Sequence, residues 1–199
     1  MAENDSARGS GLRHGWVRTA DGVYHDIDAI INMEGDVEID DTNVEGDDSI
    51  LANFASNPTA SIKMKANSLR PALLAAISDG TVVPIMDGLT QIGEEIGGGT
   101  EGVANPPFVE IGGYTVAKRK SDGVSLTVQR IFHSAQLRLK KATQEKDGEF
   151  ACEFEGIAYQ TSTDIVGGAL ATNRVDTLRF STADIDTLIA AQGEEPSVD

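Results

Sequence analysis

The residue groupings in this sequence that could do chemistry are few, and each is incomplete. Gly97-Gly98-Gly99-Thr100 has the look of a phosphate cradle, in which successive backbone N–H groups hold an anion. No Gly-Lys-Ser/Thr follows it, and Glu94, Glu95 and Glu101 would repel phosphate, so a flexible loop is the better reading. Glu34 to Asp48 packs eight acids into fifteen positions: Glu34, Asp36, Glu38, Asp40, Asp41, Glu45, Asp47 and Asp48. The run lacks the spaced ligands, central glycine and closing bidentate glutamate of a calcium loop. His25-Asp26 with Asp28 comes nearest to a metal or acid–base group. Without a second histidine nearby, an exposed or core-edge imidazole is expected there. Cys152 falls on the inward side of an alternating strand, where a thiol acts as a small hydrophobe rather than a nucleophile. No Gly-x-Ser-x-Gly elbow is present. Carboxylate pairs carry no glycosidase signal in so acidic a chain. The expectation is a protein that is not an enzyme and uses no cofactor or metal.

Composition narrows the partners. The chain has 199 residues, 16 Lys plus Arg against 32 Asp plus Glu, and a net charge of −16. A general grip on nucleic acid or on an anionic membrane needs the opposite balance. The single cysteine excludes an intrachain disulfide and a Cys-built zinc site. The longest apolar run, Ala72 to Ile77, is six residues, and the polar start Met1-Ala2-Glu3-Asn4-Asp5 shows no secretory signal. A soluble protein made in a cytoplasm is expected. The charge is also uneven. Residues 1–56 hold thirteen acids and three arginines, whereas residues 118–146 carry eight bases against Asp122 and Glu145. Such blocks read either as solvated faces or as surfaces of neighbouring copies that meet.

These groups must be positioned by a mainly β chain. Residues 1–15, marked by Gly9-Ser10-Gly11, read as a mobile arm, with the first element starting near Trp16. Val37 and Ile39 alternate with acids, and Ile62 and Met64 with Lys63 and Lys65, so both segments read as half-buried strands. A helix is expected over about 69–79, with Pro71 in its first turn and Leu69, Leu73, Leu74 and Ile77 on one face. Residues 87–107, with six glycines, read as a long Gly-rich loop. From Phe108 a β meander is expected. Asp122-Gly123 turns one hairpin, and Asp147-Gly148 turns the next. Matching two alternations pairs Leu139 with Phe150, Leu137 with Cys152 and Ala135 with Phe154. It also sets Lys140 against Glu149 and Gln136 against Glu153, with Arg138 diagonal to both acids. Thr161–Leu170 reads as a loop, and Val175, Leu178 and Phe180 suggest a final strand. Residues 182–199 read as a short helix, capped from Ser181-Thr182-Ala183-Asp184 with Ile185, Leu188 and Ile189 inward, and then an acidic tail.

The order of these features resembles the major tail protein, or tail tube protein, of long-tailed bacteriophages. The resemblance covers about residues 16–181. It rests on Ser61-Ile-Lys-Met-Lys65, the helix Leu69 to Asp79, the Gly-rich loop, Phe108-Val-Glu-Ile111, Leu137-Arg-Leu-Lys140 and Phe150-Ala-Cys-Glu-Phe-Glu-Gly156. It implies a β-sandwich or barrel with one flanking α-helix, assembled as hexameric rings whose strands join into one inter-subunit barrel. The fold is shared with the type VI secretion ring protein. Stacked rings would form the tail tube in the virion, built in the bacterial host cytoplasm alongside tape measure, terminator and baseplate proteins. DNA would pass through the lumen without specific binding, and an acidic wall suits that passage. Candidate assembly residues are Arg138, Lys140, Glu149 and Glu153 on the charged hairpin, and Gly97, Gly98 and Gly99 in a loop ordered by neighbours. A tail terminator, neck or baseplate ring protein is the near alternative. A ligand-binding β-sandwich is the distant one, and it would need an aromatic-lined cleft from one Trp, three Tyr and six Phe that lie dispersed.

Overall fold

The computed structural model describes residues 8–27, 30–38, 41–46, 49–55, 58–66, 70–78, 80–97, 105–119, 122–143 and 151–192. The strands are β1 (Arg8–Arg18), β2 (Tyr24–Ile27), β3 (Ile30–Glu38), β4 (Asp41–Gly46), β5 (Ser49–Ala55) and β6 (Thr59–Ala66). Helix α1 (Pro71–Ser78) follows, then β7 (Thr81–Asp87), β8 (Thr90–Gly97), β9 (Phe108–Lys118) and β10 (Ser125–Thr143). The chain continues through β11 (Ala151–Tyr159), β12 (Thr161–Thr163), β13 (Ala169–Arg174), β14 (Asp176–Ser181) and helix α2 (Ile185–Gln192). The fold is mainly β, and every described strand pairing is antiparallel.

The main sheet runs β2-β1-β9-β10-β11-β6-β3, and β14 also pairs with β10. The long β10 makes this possible. One edge carries β9, while the other carries β14 along Thr127–Phe132 and β11 along Ala135–Thr143. The sheet rolls, so that β3 returns over β10 and β1. Arg130 Nη2 donates to the Gly35 carbonyl at 2.9 Å, and Ile30 lies against Gly15.

Period-2 alternation divides the side chains between two faces. Val17, Ile111 and Phe132 share the inner face with Ile62, Met64, Leu137 and Phe154, and Leu73 and Ile77 of α1 close this main core. Trp16, Tyr114 and Ile131 occupy the opposite face, where Ile189 of α2 covers them. Gly112 is paired with Trp16, and any β-carbon there would overlap the indole. Asp184 caps α2 by accepting from the Thr187 N–H at 2.8 Å, while Ser181 Oγ accepts from Ala183 N.

Several expected elements change. The first strand starts at Arg8 rather than near Trp16, because pairing with β9 carries the Gly-rich stretch into the sheet. Residues 1–7 and the tail 193–199 lie outside the described residues. The expected loop 87–107 contains β8, which pairs with β7 from Thr81↔Gly97 to Asp87↔Thr90 around a turn with Gly88 at φ +61°. Thr161–Leu170 is likewise the start of a small hairpin, β12–β13. Strand β14 forms as expected, yet Leu178 and Phe180 are exposed and only Val175 enters the core. Val37 is also exposed, and Ile39 lies outside the described residues.

Candidate assembly surfaces

The hairpin of β10 and β11 keeps the expected inward face but not the expected register. Ala135 pairs with Ala158, Leu137 with Gly156 and Leu139 with Phe154, so β11 is displaced by four residues. Four is even, so the alternation survives the displacement. Ala135, Leu137, Cys152 and Phe154 are buried, whereas Leu139 is exposed. Burial pushes the Cys152 thiol pKa up, as expected of an inert core thiol. Phe150 and Glu149 lie outside the described residues.

The outward face carries a charge ladder. Arg138 is opposite Glu155, Glu155 opposite Lys63, and Lys63 opposite Glu34. The next row runs Lys141, Glu153, Lys65 and Asn32. Lys140, bulged out between these rows, forms an ion pair with Glu155 rather than Glu149. Each strand thus alternates in sign with its neighbour, and opposite cross-strand charges stabilise the pairing. Other cations of the basic stretch also find acids of the same chain. Arg130 Nε binds Asp176 at 2.8 Å, and Arg119 Nη1 binds Asp122 at 3.0 Å. Arg119, Arg130 and Lys140 are therefore paired within the subunit, and Lys120 and Lys146 lie outside the described residues. Arg138, Lys140 and Glu153 share one face, Gly97 ends β8 at some remove in the topology, and Gly98 and Gly99 fall outside the described residues.

A groove of about 550 Å³ opens on this outward face. Ile157, Leu139 and Tyr159 line it together with Lys63, Arg138 and Lys140, and Glu155 is the acid among its lining residues. Phe108 meets Tyr159 edge-on, with ring centroids 5.8 Å apart.

The second surface is the β7–β8 hairpin, which sequence reasoning missed. Leu89 is 99% exposed at its tip and Ile92 64%, with Val83, Ile85 and Met86 also open to solvent. Residues 81–97 include Asp87, Glu94 and Glu95 and no base.

The remaining polar chemistry is structural in arrangement. His133 and Glu110, both buried, meet at 2.7 Å through Nδ1 and Oε2, and His133 Nε2 lies 2.7 Å from Thr177 Oγ1. All three groups are satisfied when Nδ1–H donates to the carboxylate and Nε2 accepts from the hydroxyl. The order acid–imidazole–hydroxyl is that of a nucleophilic relay. Here it ties β9, β10 and β14 together, and Thr177 also accepts from Arg174 Nη1 at 3.3 Å. Arg18 approaches Glu110 at 3.8 Å and Asp164 at 3.9 Å. Gln129 donates to the Tyr114 hydroxyl at 2.8 Å. His25 and Asp26 do not act together: they alternate across β2, opposite Val17 and Trp16 respectively. Asp26 turns to His14 at 3.5 Å, and burial lowers the His25 pKa. Asp28 lies outside the described residues, and among those described no three His, Cys, Asp or Glu side chains are grouped to hold a metal. No helix among them is long and apolar enough to cross a membrane.

Comparison of the sequence with protein-family models and with curated proteins finds no match.

Proposed function

We propose that this chain is a structural protein that self-assembles into rings, stacked as the tail tube of a long-tailed bacteriophage, through which DNA is ejected. The observation that carries the reading is a mainly β body that leaves a strongly apolar hairpin in solvent. Leu89, Ile92 and Met86 are at least half exposed, and patches of this kind mark interaction sites. The rolled sheet with α1 against its core accords with the order of elements that prompted the resemblance.

The electrostatics fit a conduit. Because Arg119, Arg130 and Lys140 each pair with an acid of their own chain, these cations are less available to a passing phosphate backbone. The net charge of −16 then dominates at longer range. Rings would also cover exposed strand edges that otherwise invite disordered aggregation.

Negative-stain electron microscopy of the concentrated full-length protein tests the proposal. Hexameric rings stacked into tubes are expected. Single rings that never stack would favour a terminator, neck or baseplate role, and a monomer at every concentration would overturn self-assembly.

A further inference from the structure

The apolar hairpin and the cationic groove lie on different parts of one chain and complement each other. The β7–β8 tip offers Met86, Leu89 and Ile92, flanked by Asp87, Glu94 and Glu95. The groove offers an apolar floor of Ile157, Leu139 and Tyr159, with Lys63, Arg138 and Lys140 around it against the single acid Glu155. Ile157 and Leu139 are 46% and 41% exposed, so this floor is open to a visitor. Its volume of about 550 Å³ lies within the range of cavities that bind several side-chain-sized groups.

We infer that the β7–β8 hairpin of one copy docks into the β6–β11–β10 groove of a second copy. This inference rests on the self-assembly reading above and specifies its contact. The apolar tip fills the floor, and the hairpin acids meet the groove cations at the rim, an arrangement of apolar centre and polar border common to specific interfaces. The contact joins two different patches, so it is heterologous. Each copy retains a free hairpin and a free groove, and addition continues until a ring closes or a filament grows. Glu155 has a place in this contact: its ion pair with Lys140 holds that side chain at the groove wall.

Disulfide trapping tests the contact. Leu89→Cys in a tagged full-length chain is mixed with Ile157→Cys in an untagged one under mild oxidation, the native Cys152 being buried. A tagged–untagged dimer should form about tenfold faster than with Thr172→Cys as the untagged partner, reflecting raised effective concentration at a real contact. In parallel, Leu89→Asp should abolish assembly in sedimentation while leaving the thermal midpoint unchanged. Assembly that persists in Leu89→Asp, with no cross-link above the Thr172 control, overturns the docking but leaves self-assembly standing. Cross-links between Leu89→Cys chains alone replace it with a hairpin–hairpin contact. Wild-type protein that stays monomeric overturns both readings.

Discussion

The β10–β11 and β7–β8 pairs are both antiparallel and differ in where their side chains find partners. In β10–β11, Leu137, Cys152 and Phe154 are sealed in the core while the outward charges are matched strand by strand. In β7–β8, Val83, Ile85, Met86, Leu89 and Ile92 remain in water, and the three acids have no base within the hairpin. The inner face of the first is completed by its own chain, and only its outward groove stays open. The second has the composition of an interface without a partner in its own chain, so a change there should bear on association more than on stability.

Truncation should separate them most sharply. Phe154→Ala removes a side chain at the centre of the core and should cost about 3–5 kcal/mol in urea unfolding. Leu89→Ala should cost less than about 0.5 kcal/mol in the same assay, as an open surface site does. Comparable losses would mean that the hairpin packs on its own body, and the contrast would fail. Next in size is Glu110→Ala, which leaves the buried His133 Nδ1–H without its acceptor and should cost about 1–3 kcal/mol. Glu110→Gln, which can still accept a hydrogen bond, should cost less.

Charge reversal gives a smaller effect. Glu155→Lys places a cation among Lys63, Arg138 and Lys140 and should destabilise the monomer by about 1 kcal/mol, less in high salt. Glu94→Lys on the exposed hairpin should leave monomer stability unchanged and weaken assembly. The smallest effect is the pH response of His25. Burial lowers its folded pKa, partly opposed by Asp21 and Asp26, so the native state holds the ring neutral while the unfolded chain protonates first. The stability it contributes is complete above the unfolded value of about 6.5 and is lost as pH falls below it. His25→Asn should therefore flatten the decline in unfolding midpoint between about pH 7 and pH 5. An equally steep decline in the variant would assign that titration elsewhere.

Much of the body was legible from alternation and turn residues. Ile62 and Met64 in β6, α1 from Pro71, and the Asp122-Gly123 turn appear as their sequences suggest. Register was less accessible, because a period of two fixes which face a residue occupies but not which residue it opposes. Hence Leu137 meets Gly156 instead of Cys152, with both still inward or beneath it. The β7–β8 hairpin stayed hidden because Gly88, Gly93 and Gly97 imitate a loop, and because apolar residues on both faces erase the contrast that marks a half-buried strand. The Glu110–His133 pair spans 23 positions and meets because the β9–β10 register that sets Phe132 against Ile111 brings the next residues of the two strands together, just before the irregularity that precedes Ala135. No local pattern announces it.

Hydrogen exchange tests the central contrast most directly. Amide protection is followed over residues 81–97 and over β9–β10, at a dilution where the chain is monomeric and at a concentration where it assembles. Protection of β9–β10 should be high in both conditions, while the hairpin amides should exchange readily in the monomer and become protected on assembly. Hairpin protection that is the same in monomer and assembly would contradict the account.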